Sequence, residues 1–169
     1  MKRKKMKTSI KIAAWMLFVI YLVFLTIGIL FKFRLNLFDY SVLLNIDTQQ
    51  VLWKIKGSNF IPFKTIIDYL FISDLSSNIR YDNLIGNVVA FIPLGIFLPT
   101  LSKKLYSAKK IVFAGLTVSL FYELIQLIFA IGQFDVDDII LNTVGAYLGY
   151  LIFRVGVISV SKLNIHFFG

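Results

Sequence analysis

Apolar residues run almost unbroken over four stretches of the chain. The first, Ile12 to Phe31, carries no charge and is bounded by Lys11 and Lys32. As a helix it would reach about 30 Å, the thickness of a bilayer's hydrocarbon core. It follows a basic start, as a signal peptide would. It is too long for an ordinary signal core, and no small-residue cleavage site follows, so a retained span is predicted. The second stretch runs from about Asn83 to Leu101 around Pro93. The third runs from Ile111 to about Ile131 around Glu123, and the fourth from about Ile139 to Val160 around Arg154. Pro93 removes one backbone donor, which neighbouring helices in a bundle can compensate. The pattern predicts an all-α membrane protein, a bundle of four transmembrane helices.

Residues 32–82 mix polar and apolar positions and do not read as a compact domain. Within them, Pro62 is suited to a first helical position, and apolar residues follow at Phe63, Ile66, Ile67, Leu70 and Phe71. Those positions share one helical face. A helix over Phe63 to Phe71 is expected, lying in the outer membrane interface or packed on the mouth of the bundle.

Composition agrees with the pattern. Hydrophobic residues make up 58% of the 169 positions, and mean hydropathy is +0.80. A water-soluble globule of this size could not bury so much apolar surface. That excludes a soluble enzyme and a disordered tail, and the lack of cysteine excludes a secreted disulfide scaffold.

The net charge of +9 matters through its distribution. Lys2, Arg3, Lys4, Lys5, Lys7 and Lys11 precede the first span. Lys103, Lys104, Lys109 and Lys110 crowd the link between the second and third, and Arg154 and Lys162 come last. Lys32, Arg34, Lys54, Lys56, Lys64 and Arg80 are spread thinly over 32–82. The link between the third and fourth spans has no base but carries Asp135, Asp137 and Asp138. Short, densely basic loops stay in the cytoplasm. The expected organisation is a basic cytoplasmic amino terminus over 1–11, a membrane domain over 12–160 and a cytoplasmic tail over 161–169. The 32–82 loop and the acidic turn then lie outside. The same charge explains itself without nucleic acid, which is not an expected partner.

Polar residues inside the spans recur at helical spacing. Asn83, Asn87, Ala90 and Leu94 share a face, as do Ser119, Glu123, Gln126 and Ala130, and Asp138, Asn142, Gly145 and Gly149. A carboxylate such as Glu123 costs a few kcal/mol or more against lipid, so it should face inward. Asn87 and Asn142 fall about 6 Å below the outer ends of their spans, and Glu123 about 12 Å below its own. One polar cavity is predicted, open outward, with Asn83, Asn87, Glu123, Gln126, Asp135, Asp138 and Asn142 as its ligand-binding lining. Within it, Glu123 is expected in direct or one-water reach of Asn87 or Asn142. Interhelical hydrogen bonding or helix capping is the competing role for Asn83, Gln126 and Asp137. Gly145 and Gly149 form a G-x-x-x-G pair suited to close helix packing.

No catalytic residue can be named. Cysteine is absent and the sole histidine, His166, falls on the expected cytoplasmic tail, so no Ser–His or Cys–His arrangement faces outward. An enzyme would have to use Glu123, Asp135 and Asp138, oxygen ligands suited to a divalent cation. No metal or other cofactor is called for beyond that alternative.

Four strings complete the picture: NFIPF (Asn59 to Phe63), NLIGNVVAFIPLG (Asn83 to Gly95), YELIQLIFAIG (Tyr122 to Gly132) and DVDDIILNTVGAYLG (Asp135 to Gly149). In this order they resemble the VanZ-like family, over residues 12 to 155. Many members carry an arginine just before the acidic turn, where this chain has Gly132 and Gln133. The resemblance implies a bacterial plasma-membrane protein that lowers susceptibility to the glycopeptide teicoplanin. It would bind or alter an outer-leaflet lipid, an envelope component or the antibiotic through the polar cavity. The alternative is an intramembrane enzyme acting on lipid-linked envelope substrates. Membrane lipids are the expected partners, with an envelope precursor or the glycopeptide as candidate ligands, and the oligomeric state stays open.

Overall fold

The structure, a computed structural model, describes residues 8–31 and 47–166, with side chains over 8–30 and 47–159. The expectations for Lys2 to Lys7, for Lys32 and Arg34, and for the side chains of Lys162 and His166 lie outside the described residues.

The chain is all-α. Helix α1 (Thr8–Phe31) is followed by two short helices, α2 (Thr48–Lys56) and α3 (Lys64–Ile67). Three long helices complete the fold: α4 (Ser77–Leu101), α5 (Ala108–Ile128) and α6 (Val136–His166). The four long helices are each long and apolar enough to cross a membrane. A basic end, with the Lys103–Leu105 3-10 turn joining α4 to α5, stands opposite an acidic end, where α5 turns into α6.

The helix boundaries have local causes. α4 begins at Ser77 rather than about Asn83, and α5 stops at Ile128 rather than about Ile131. Ala130 takes a left-handed φ of 52°, and the N–H groups of Ile131 and Gly132 turn back onto the Gln126 carbonyl. That closes the helix by satisfying one of its last carbonyls. Asp135 then caps α6, its Oδ1 accepting from Asp137 N at 2.8 Å.

The centre of the bundle is the α4–α6 pair, the most extensively packed in the molecule. A side chain at Gly145 would come within 2.1 Å of the Val88 carbonyl oxygen, and one at Gly149 within 1.9 Å of that of Ile92. Gly95 answers from α4 and lies equally close to the Ala146 carbonyl. The G-x-x-x-G pair therefore packs backbone on backbone within one chain. Phe91, Leu94, Ile111, Ala146, Tyr150 and Phe153 fill the adjoining core. α1 packs more thinly. At the basic half, Phe18 and Tyr21 lie against Phe97 with ring centroids 5.6 and 5.9 Å away. Most of the remaining α1 side chains are exposed and apolar, as a lipid-facing helix requires.

The short helix after Pro62 differs from its sequence expectation. Pro62 sits in a turn, Phe63 takes a left-handed φ of 66°, and α3 starts only at Lys64. From Asp68 to Ile72 the helix widens into a π turn, which rotates the apolar face. Phe63, Ile67, Leu70, Phe71 and Ile72 are exposed, whereas Ile66 is half-buried.

Candidate functional site

The acidic end is organised by Asp137, which is only 1% exposed. Its Oδ1 accepts from Phe63 N at 2.5 Å, and its Oδ2 from Thr65 N at 2.8 Å and Ile66 N at 3.2 Å. The first amides of a helix lack partners within it, and a carboxylate there is favoured by charge as well. Asp137 thus caps a helix, but α3 rather than its own. This explains why α3 begins where it does.

Asp135 completes a clasp around the same loop. Its Oδ1 accepts from Asn59 Nδ2 at 2.9 Å and its Oδ2 from Thr65 Oγ1 at 2.6 Å. The backbones join too: Asn59 N donates to the Phe134 carbonyl at 2.8 Å, and Val136 N donates to that of Asn59 at 3.0 Å. Tyr69, in the π turn, has its phenol pushed up by burial and then by the carboxylates of Asp138, Asp135 and Asp68.

Beside the clasp lies a cavity of about 630 Å³. Asp82, Asn83 and Asn87 line it from α4, Glu123 and Gln126 from α5, and Asp138 and Asn142 from α6. Asn87 Nδ2 donates to Asp138 Oδ1 at 2.5 Å, and Asn142 Nδ2 to Ser119 Oγ at 2.8 Å. Glu123 is 2% exposed and its Oε2 accepts from the Asp135 backbone N–H at 2.8 Å. Gln126 Nε2 donates to the Ile29 carbonyl at 2.9 Å, and Asn83 Nδ2 to that of Ile79 at 2.7 Å.

Of the residues expected around one cavity, Asn83, Asn87, Glu123, Gln126, Asp138 and Asn142 border this one, and Asp135 does not, its carboxylate being turned to Asn59 and Thr65. The partner seen for Glu123 Oε2 is a main-chain donor, which an inventory of side chains misses. Gln126 lines the cavity and also ties α5 to the backbone of α1, so both roles weighed for it coexist. Asn83 lines the cavity and bonds back to Ile79 within α4, which is neither an interhelical tie nor a cap. Asn59 and Thr65 had no local signal, because their partners lie some seventy residues away in sequence, and the capping weighed for Asp137 is realised on α3 rather than on its own helix. Tyr21 and Asp82 also line the cavity and were missed. Tyr21 reads as one more apolar position of α1, and Asp82 falls just before the expected start of its span.

Chemically the lining is rich in acceptors. Carboxylates come from Asp82, Glu123 and Asp138, and Asn142 Oδ1 is buried without a partner among the described residues. Such a set suits hydroxyl or ammonium donors. Among the described residues no three His, Cys, Asp or Glu side chains gather as a metal site. Glu123, Asp135 and Asp138 therefore do not form the oxygen cage considered for a divalent cation.

Four apolar helices around a buried polar cluster define a multi-pass integral membrane protein. The VanZ/LLP1 family model matches residues 18–158, which hold the whole clasp and cavity, and the chain belongs to that family. It is 35% identical over 139 residues to Protein VanZ of Enterococcus faecium, covering 82% of this chain and 72% of that protein. No solved structure matches it.

Proposed function

We propose that this chain is a plasma-membrane factor of the bacterial envelope that lowers susceptibility to teicoplanin by binding rather than by covalent chemistry. Its cavity takes an outer-leaflet lipid, an envelope component or the antibiotic, and so changes what is presented at the cell surface. Both termini are cytoplasmic, and the acidic end faces outward. The orientation is supported by Lys103, Lys104, Lys109 and Lys110 at one end of the bundle and Asp135, Asp137 and Asp138 at the other.

The observation that carries the reading is the acceptor-lined cavity at the acidic end of a VanZ/LLP1 chain. An intramembrane carboxylate is costly, and Glu123 is held in place rather than replaced by an apolar residue. The test is teicoplanin and vancomycin susceptibility of cells expressing the wild type or Glu123→Gln at matched membrane levels. The wild type is expected to protect against teicoplanin and Glu123→Gln to protect less. Equal protection by both would refute the role of the cavity.

A further inference from the structure

The cavity is not walled off from the surrounding lipid by the described residues. α1 touches α4 at the basic half, where Phe18 and Tyr21 meet Phe97 and Tyr21 OH donates to the Ala90 carbonyl at 2.9 Å. Further along, α1 is tied to α5 instead. Thr26 Oγ1 and Tyr122 OH share a hydrogen bond of 2.8 Å, and Gln126 reaches the Ile29 carbonyl. The two sets of ties diverge, and a cleft opens between α1 and α4 in the acidic half. Phe24 forms one lip, and Val89 and Gly86 the other. All three line the cavity while remaining exposed, Phe24 at 61% and Val89 at 53%.

Polarity is layered along the cleft. Asp82, Asn83 and Asp138 stand near the acidic end, whereas Leu25, Ala90 and Pro93 line the deeper part. Pro93 lies about 15 Å beyond Asn83 along α4, the half-thickness of a hydrocarbon core. A polar head above and an apolar chain below would match that gradient.

We propose that the cavity receives the head group of an outer-leaflet lipid that enters sideways between α1 and α4, the head being an ammonium- or hydroxyl-bearing donor. This rests on the binding role proposed above and selects one ligand class from it. The lining of described residues contains carboxylates and carboxamides but no Lys, Arg or His. A bare phosphate would face the carboxylates of Asp82, Glu123 and Asp138 with no cation to offset them. The carboxamides of Asn87, Gln126 and Asn142 already donate to protein acceptors, so a head that brings its own donors fits the lining better. Asn142 Oδ1, on a residue only 4% exposed, is a fixed acceptor for one of them. The volume falls within the range of about 300–1,000 Å³ typical of small-ligand pockets. The acyl chain stays in the cleft, against Phe24 and Val89.

The test uses the full chain in vesicles of phosphatidylethanolamine and phosphatidylglycerol, doped with phosphatidylethanolamine that carries a diazirine in its upper acyl chain. Irradiation followed by peptide mapping is expected to place label on Leu25, Ala90 and Pro93, as well as on exposed Phe113 and Val155. A side chain at Gly86 enters open space, with nothing within 4 Å of its Cβ. Gly86→Trp should therefore fill the mouth and cut cleft labelling at least about tenfold. Labelling of Phe113 and the elution profile of the protein should not change, and Gly86→Ala should label like the wild type. Phosphatidic acid with the same diazirine chain lacks an amine or alcohol, and should label the cleft at least about tenfold less. No label on Leu25, Ala90 and Pro93, or equal labelling of Gly86→Trp and wild type, overturns lateral entry. Equal labelling by phosphatidic acid overturns the donor-head assignment. If Gly86→Trp loses the label yet protects fully against teicoplanin, the lipid site stands and its link to resistance fails. If Glu123→Gln loses protection while no cleft label forms, the cavity serves another ligand and lateral entry is wrong.

Discussion

Replacing Asp137 with alanine strips the acidic end of its central acceptor. Three backbone N–H groups, from Phe63, Thr65 and Ile66, lose their partner together. A hydrogen bond to a charged group contributes about 1.5–3 kcal/mol net, so intact geometry would forfeit more than about 4 kcal/mol. The 59–66 segment lies at the end of the bundle, and its amides can turn to water when it lifts away. That escape reduces the expected cost of Asp137→Ala to about 2–4 kcal/mol, and confines it to local opening. The α4–α6 seam contains none of these groups and should hold. Asp137→Asn keeps one oxygen and loses the charge, so its effect should be smaller. The assay is hydrogen exchange of the protein in lipid nanodiscs, followed at the amides of 63, 65 and 66. Protection there should fall by about thirtyfold or more in Asp137→Ala, since every 1.4 kcal/mol is tenfold. Amides in the middle of α6 should exchange as in the wild type. Unchanged protection at 63, 65 and 66 would show that Asp137 does not hold this loop. Loss of protection throughout α6 would show that the clasp and bundle are not separable.

Other expectations follow from the same geometry. Gly149→Val drives a side chain into the Ile92 carbonyl and should cost at least about 1–3 kcal/mol, read as lost thermal stability in detergent. Gly156→Ala, which meets nothing within 4 Å, should stay within about 0.5 kcal/mol of wild type by the same measurement. Tyr122→Phe combined with Gln126→Leu cuts the two hydrogen bonds that join α1 to α5 among the described residues. Each is worth about 0.6–1 kcal/mol in a membrane bundle, and faster exchange or proteolysis confined to α1 is the readout. The chain has no cysteine, so single cysteines report orientation directly. A membrane-impermeant maleimide should label Asp74→Cys in intact cells but Lys104→Cys only after the membrane is opened, and the reverse pattern would invert the topology.

The long helices were legible because span length and apolar continuity are local properties. The cavity was legible for a related reason. Asn87, Glu123 and Asn142 are too costly against lipid to point anywhere but inward, and helical spacing fixes their faces. Asp135 shows where that reasoning stops. Its position along the chain suits the cavity, yet Asn59 and Thr65 capture its carboxylate, and no spacing rule connects residues so far apart. The helix after Pro62 was legible in its apolar rhythm and not in its start, because Asp137 decides where the first amides find an acceptor. α2 carries its own signals and was still not anticipated. Asp47 caps it by accepting from Gln49 N at 2.9 Å, and Gly57 follows its last turn, whose lysines suit a helix end. The cleft depends on α1 leaning from α4 toward α5, and a hydropathy pattern contains no information on that tilt.

The central claim is that the polar cavity, and not merely insertion of the bundle, produces the phenotype. Teicoplanin susceptibility of cells expressing Asn142→Leu beside wild type, at equal membrane abundance, tests it most directly. Asn142 lines the cavity, and leucine removes its free acceptor while keeping the same branched skeleton, so the bundle should still insert. The account predicts that protection falls toward that of cells without the protein. Full protection from a cavity lined by Leu at position 142 would contradict it.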